Sequence, residues 1–386
     1  MRKTLSKCDK ILLVIIIVFL IFGSIMVLSA SSMESYMRYS KSPYYYFFKH
    51  IIFVVVGLFI YFVLHFIPTK VYKKLYIFFM IIPYVMMIGL IIYGKSAREA
   101  VSWFKIGPFS IQPSEFAKVF TIIYLAGHYD KYKDNLTSQW TIFRPLLVVV
   151  VLAALIALQP DLGTSLILVI MTIMVFYAVP ISKEKRKYFN RIFIGGILLV
   201  VLLLISTKGT ILRDYQIKRL YSFIYNPCER YQDEEGYQLC NSYIAFYNGG
   251  VTGKGVGEST QKYLYLPDSY TDFIFPIIVE EWGMIVGVVI ILGYGIVLFR
   301  IFKIAKRTKN LGNGLIAYGV FSYIFVHIAV NLIGVMGLGP LTGVPLPFLS
   351  YGGSYTWSVF IALGILQRVC IENNKSIIKN NMIKGS

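Results

Sequence analysis

Four short stretches of this chain set carboxylates, a lysine, amides and hydroxyls beside proline or glycine. They are Gln112-Pro113-Ser114-Glu115-Phe116-Ala117-Lys118; Gln159-Pro160-Asp161-Leu162-Gly163-Thr164; the run from Leu266 to Phe275 that holds Asp268, Thr271 and Asp272 and is followed by Glu280 and Glu281; and the run from Gly339 to Ser354. All four border or enter strongly apolar sequence. There an ionisable group costs about 2.5 kcal/mol or more, so each needs a partner or a task. Glu115 and Lys118 are three residues apart, on one face of a helix, and can form a self-contained ion pair or a working acid and cation. Pro113 suits a first helical turn, and Ser114 and Glu115 can cap it and complement its dipole. Asp161 can cap the helix that follows Pro160, and Thr271 or Asp272 the helix that follows them. Glu280 and Glu281 lie two turns deeper, and at least one is expected to face the interior and a cation. The last stretch has three prolines and four glycines in 16 residues and cannot be a regular helix. Such backbone is tolerated at membrane depth where it is buried or lines a wet cavity.

The elements that must position these groups are membrane helices. Of the 386 residues 57% are hydrophobic and only 15% charged. A soluble domain carries about 25% charged residues, and a disordered chain is far less apolar. A spanning helix needs about 20 mostly apolar residues, and ten stretches qualify: 11–31, 47–67, 74–93, 113–129, 142–159, 162–180, 190–207, 275–299, 312–335 and 353–371. The first is too long for the apolar core of a secretion signal. The chain thus reads as an all-α polytopic membrane protein, one transmembrane domain over 1–386. With the N-terminus in the cytoplasm, the inner segments hold 24 of the 38 Lys and Arg residues, among them Lys70, Lys73, Lys74, Lys183, Arg186, Arg300 and Arg307. That alternation predicts both termini inside, with a short basic tail over 372–386. The inner segments account for the whole net charge of +19, which is an orientation signal aided by anionic lipid and not a sign of nucleic acid. The outer side is neutral in sum and carries the mixed acids and bases. It includes one long structured loop over 208–271, between helices seven and eight, and long structured loops tend to carry function.

Other features carry less. Gly249-Gly250-Val251-Thr252-Gly253-Lys254-Gly255 fails the spacing of a phosphate loop. His50, His65, His128 and His327 are scattered and read as packing or helix-end residues. Cys228 and Cys240 share the long outer loop, where oxidation is permitted, and are expected to form a disulfide contributing about 3 kcal/mol.

Taken together, these segments resemble the SEDS family of shape, elongation, division and sporulation proteins, of the FtsW, RodA and SpoVE type. The resemblance rests on Trp103, QPSEFAK at 112–118, QPDLGT at 159–164, GYQ at 236–238, GGVTGKGVGESTQK at 249–262, LPDSYTDFIF at 266–275, EEWG at 280–283 and PLTGVPLPFLSYGGS at 340–354, in family order over most of the chain. It implies a peptidoglycan glycosyltransferase that polymerises lipid II at the outer face of the bacterial cytoplasmic membrane, for septal or cell-shape wall synthesis. The implied partners are a class B penicillin-binding protein and other divisome or elongasome membrane proteins. The family's essential aspartate falls on Asp272, and its cavity residues on Glu115, Lys118 and Asp161. Asp268 stands where the family usually has glutamate. GESTQK, with Gln261 and Lys262, leans toward the FtsW and SpoVE side. The implied reaction needs a base for a sugar hydroxyl, for which Asp272 is the choice. It also needs cations or helix N-termini for a pyrophosphate leaving group, with Lys118, Arg213 and Arg219 as candidates. Gln112, Glu280, Glu281 and Ser354 complete the expected substrate-binding set. Magnesium or manganese is a candidate companion of the pyrophosphate, although no dedicated cage is visible. The competing readings are a lipid II flippase, which would need ionisable groups along a path through the bilayer, and a non-catalytic scaffold.

Overall fold

The computed structural model describes residues 9–93, 102–106, 109–159, 161–206, 217, 224, 226–229 and 234–384. Its helices are α1 (Lys10–Met37), α2 (Tyr45–Phe66), α3 (Thr69–Lys74), α4 (Tyr76–Tyr93), α5 (Pro113–Lys131), α6 (Gln139–Leu158), α7 (Leu162–Tyr177), α8 (Lys183–Ser206), α9 (Glu234–Gly249), α10 (Ile274–Arg307), α11 (Leu311–Val335) and α12 (Gly353–Lys384). A helix covers each of the ten apolar stretches. Six of them, α1, α2, α6, α10, α11 and α12, are long and apolar enough to cross a membrane; α4 and α7 are shorter apolar helices. An antiparallel hairpin, β1 (Phe104–Ile106) and β2 (Phe109–Ile111), pairs Phe104 with Ile111 just before α5.

Burial separates interior from periphery. The most apolar stretch of α12 is 78% buried and that of α11 is 61% buried, against 22% for α2. Helix α11 packs on α5, α7, α10 and α12 and forms the centre of the bundle. It runs antiparallel to α5, and the two approach closely because Gly319 has no side chain: a Cβ there would lie 2.5 Å from Ile122 Cγ2. One turn along, that approach brings the polar face of α11 onto Lys118. The end of the bundle away from the four polar stretches is tied by ion pairs, Arg300 to Asp9 at 2.6 Å and Lys73 to Asp130 at 2.8 Å.

Two elements depart from the sequence expectation. The segment expected as a long outer loop contains a 16-residue helix, α9, whose composition is too polar to register as a span. Helix α10 is broken at Gly283 (φ 84°, ψ 168°), a conformation open to glycine. The segment after α9 repairs the break. Lys254 N–H donates to the Glu280 carbonyl at 2.9 Å, Gly255 N–H to Glu281 at 3.0 Å, and Met284 N–H to Gly250 at 3.0 Å. The glycines that resemble a phosphate loop are thus a backbone clasp on a broken helix. A Cβ on Gly253 would sit 2.3 Å from the Glu281 carbonyl oxygen. The basic tail also continues as helix, since α12 runs to Lys384.

Candidate functional site

The first turn of α5 sets the first groups. Its N-cap is Gln112, with Pro113 following, and no side chain caps it. Ser114 and Glu115 are turned to other uses. Lys118 Nζ donates to Glu115 Oε1 at 2.8 Å, and both are buried, Lys118 at 0% exposure and Glu115 at 4%. Lys118 Nζ also lies 3.0 Å from His327 Nε2 on α11. An ammonium can only donate, so Nε2 accepts and the imidazole proton belongs on Nδ1. The ammonium sits 5.7 Å from the Tyr323 ring centre and 6.0 Å from that of Tyr355. Among the described residues Glu115 Oε2 has no hydrogen-bond partner. The expected ion pair therefore exists, but it belongs to a larger buried network that includes a histidine assigned from sequence to packing.

Asp161 joins α5 to α7. Its Oδ1 accepts from Thr164 N–H at 3.1 Å, which caps α7. Its Oδ2 accepts from Gln112 Nε2 at 2.8 Å and from Ser114 Oγ at 3.3 Å. Gln112 N–H in turn donates to Ser354 Oγ at 2.8 Å, and Ser354 lies in the first turn of α12. The N-termini of α5, α7 and α12 thus meet at one mouth. The dipoles of these three helix starts give that mouth the character of an anion site.

Asp272 reaches the same mouth from the other side. The N-cap of α10 is Phe273, so neither Thr271 nor Asp272 caps it. The segment is held by turns instead, with Thr271 N–H donating to the Asp268 carbonyl at 3.0 Å. Asn331 Nδ2 on α11 donates to the Asp272 carbonyl and to the Val344 carbonyl, each at 2.7 Å. Gly343 has φ +67°, and a Cβ there would lie 3.2 Å from Asp272 Oδ2, so the half-buried carboxyl rests against this glycine. The preceding Thr342 carbonyl oxygen is 2.8 Å from where a Cβ of Gly163 would be, beside Asp161. The proline- and glycine-rich loop before α12 therefore touches the Asp272 segment, the start of α7 and, through Ser354, the start of α5. Tyr270 locks it further. Its ring lies 4.8 Å from that of Tyr46 and 5.5 Å from that of Tyr351, and its carbonyl accepts from Tyr351 N–H at 2.9 Å. Burial raises the Tyr270 phenol far above its ordinary range, so it stays neutral.

The remaining expected residues lie elsewhere. Glu280 and Glu281 are fully buried at the clasp. Glu280 accepts from Thr260 Oγ1 at 2.7 Å, Asn248 Nδ2 at 3.0 Å and Gln261 N–H at 3.1 Å, with Lys254 Nζ at 3.5 Å. Glu281 accepts from Ser29 Oγ at 2.6 Å and Lys262 Nζ at 3.0 Å. Both hold the segment 248–262 to α1 and α10. Cys228 and Cys240 form a disulfide with Cα atoms 5.0 Å apart. Arg213 and Arg219 lie outside the described residues. Among the described residues no three His, Cys, Asp or Glu side chains cluster as metal ligands. His327 and Asn331 are the site residues that sequence reasoning missed. The signal was available: two polar side chains four apart, on one face of an otherwise apolar helix.

Comparison with known proteins bears on the whole of this arrangement. A family model described as "Cell cycle protein", covering FtsW, RodA and SpoVE, matches residues 9–375. The FtsW of Bacillus subtilis (strain 168), named a probable peptidoglycan glycosyltransferase, is 34% identical over 97% of this chain and 94% of its own length. Stage V sporulation protein E of the same organism is 34% identical over 94% of this chain and 96% of its own. Among solved structures, the rod shape determining protein RodA of Thermus thermophilus superposes with a TM-score of 0.66 at 23% identity, covering 94% of this chain and 96% of that one. A chain from a peptidoglycan synthase complex, solved for its coordination of polymerization and crosslinking, superposes with a TM-score of 0.75 at 22% identity, covering 95% and 98%. At these identities the two superpositions carry the fold alone.

Proposed function

This chain belongs to the FtsW, RodA and SpoVE family of cell cycle proteins, and from that membership we propose that it is a peptidoglycan glycosyltransferase polymerising lipid II for division or shape. The observation that carries the reading is the single mouth where Asp272 faces the starts of α5, α7 and α12 across one irregular loop. An aspartate on one side and a buried lysine with three helix N-termini on the other suit a sugar acceptor and a pyrophosphate donor.

In this reading Asp272 takes the proton from the acceptor hydroxyl as that oxygen bonds to the donor's anomeric carbon. The bond from that carbon to the pyrophosphate oxygen breaks, and the polyprenyl pyrophosphate leaves with the electron pair. Lys118 and the N–H groups at the start of α5 and α7 stabilise the charge that grows on it. One displacement converts an α-linked donor into a β-linked product, as in inverting glycosidases with a sugar hydroxyl in place of water. Glu115, His327 and Tyr323 hold Lys118, while Gln112, Asp161 and Ser354 hold the three helix starts together. Arg213 and Arg219 are further cations for the pyrophosphate. Glu280 and Glu281 hold the segment 248–262 to α1 and α10, away from the reacting groups. A magnesium or manganese ion would travel with the substrate's phosphates.

The finer topology belongs to the same reading: ten spans, both termini in the cytoplasm, and the mouth at the outer face of the cytoplasmic membrane. The basic residues at the far ends of the helices support it. The partner is a class B penicillin-binding protein that crosslinks the strands, which accords with the fold shared with a synthase complex. The test is incubation of the purified full chain with lipid II, read as glycan strands on a gel. A parallel assay follows labelled lipid II across liposome membranes. Strands without transbilayer movement are expected; movement without strands would overturn the polymerase in favour of a flippase.

A further inference from the structure

A second site lies at the far end of α5 from the mouth. The helix has 19 residues, so the two are separated by about 28 Å, close to the thickness of a bilayer's hydrocarbon. Here the start of α4, the end of α5 and the start of α6 enclose a cleft of about 420 Å³. Two cations line it, Lys131 from α5 and Arg144 from α6. Among the described residues neither is in an ion pair, whereas the neighbouring Asp130 is committed to Lys73 at 2.8 Å. Both cations turn toward the same rings. Lys131 Nζ is 6.0 Å from the Tyr76 ring centre and 5.2 Å from that of Tyr132, and the Arg144 guanidinium is within electrostatic reach of Tyr76, Tyr124 and His128. The far wall is different in kind. Ile77 and Ile81 are 53% and 50% exposed and continue the cleft along the outside of the bundle, where acyl chains lie.

We propose that this cleft seats an anionic phospholipid, with its phosphate between Lys131 and Arg144 and an acyl chain along Ile77, Ile81 and Val148. Charge complementarity selects the occupant. Two unneutralised cations above an apolar wall suit a phosphate joined to hydrocarbon, and basic pockets between helices at the cytoplasmic face bind such headgroups. A zwitterionic lipid would bring its own cation to a place that already holds two. The site rests on the chain's residence in a membrane and not on its proposed activity. It would couple the inner leaflet's composition to the packing of α5, the helix whose other end carries Glu115 and Lys118.

The test titrates the purified full chain in neutral detergent with phosphatidylglycerol, phosphatidylcholine or free glycerol phosphate, and reads bound lipid by native mass spectrometry. Half-saturation by phosphatidylglycerol should need about 25-fold more lipid in the Lys131→Gln/Arg144→Gln variant, about fivefold for each cation. Lys183→Gln/Lys187→Gln removes two exposed charges elsewhere and should leave it unchanged. Ile81→Trp fills the wall, keeps both charges at an exposed position, and should weaken binding as well; it stands in if the double variant does not fold. The proposal is overturned if wild type and both cleft variants bind phosphatidylglycerol alike, or if phosphatidylcholine binds as well. It also fails if glycerol phosphate competes at matched concentration, or if the Lys183/Lys187 variant loses as much.

Discussion

The pair Glu115 and Lys118 allows the structural and chemical roles of a buried ion pair to be separated. Lys118 is fully buried and Glu115 is 4% exposed. Replacing Lys118 by methionine would leave the Glu115 carboxylate buried without its cation, with its Oε2 already lacking a partner among the described residues. Removing one member of a buried pair costs about 3–5 kcal/mol, because the other is left uncompensated. Glu115→Gln is milder, about 1–3 kcal/mol, since an amide oxygen can still accept from Lys118. Replacing both by methionine removes the stranded charge, and such exchanges are often neutral or stabilising. Against that stands the loss of the donor to His327 Nε2, about 1–3 kcal/mol. Lys118→Met alone suffers that same loss, so the double variant is expected to be more stable than the single one by about 3 kcal/mol, the cost of the stranded carboxylate. Denaturant titration in micelles measures the stabilities, and gel analysis of lipid II polymerisation measures the activity. The double variant should be folded and inactive, because the cation proposed to stabilise the leaving group is gone. A double variant that polymerises would show the pair to be scaffolding only. A Lys118→Met protein as stable as wild type would refute the buried geometry itself.

Three further outcomes follow from the same geometry. Gly343→Ala places a Cβ 3.2 Å from Asp272 Oδ2 at a φ of +67°; stability should fall by only about 1–2 kcal/mol while polymerisation falls sharply, and unchanged turnover would contradict the position of Asp272. His327→Leu removes an acceptor from Lys118 and should lower kcat about tenfold or more with little change in KM, whereas His327→Gln, whose amide oxygen can accept, should restore most of it; equal effects of the two would reduce His327 to packing. Intact mass should rise by about 2 Da on reduction, and Cys228→Ser with Cys240→Ser should cost about 3 kcal/mol of loop stability; no mass change would contradict the disulfide.

What the sequence revealed depended on whether one element or several set a feature. The apolar stretches are local, and a helix lies on each because backbone in lipid must satisfy its own hydrogen bonds. Glu115 and Lys118, three apart on one helix, were legible as a pair for the same reason. Ser114 and Asp272 do not cap as expected, because Ser114 finds an acceptor in Asp161, at the start of another helix, and the N-cap of α10 falls one residue after Asp272. The break at Gly283 leaves no mark in the apolar pattern, since one glycine among apolar residues continues it. Only the approach of Gly250–Gly255 from a distant segment makes the break stable. His327 and Asn331, four apart, mark a polar face of α11, but the task of His327 appears only where Gly319 lets α11 close on α5.

The central claim is that Asp272 accepts the proton in glycan polymerisation. Asp272→Asn keeps the size of the side chain, and the hydrogen bond from Asn331 to the backbone carbonyl at 272 does not depend on the carboxyl. The measurement is the rate of lipid II polymerisation by this variant beside wild type, with thermal unfolding and lipid II binding as controls. The account predicts normal unfolding, retained binding and a rate lowered by about 10²-fold or more. A variant that polymerises at the wild-type rate would contradict it.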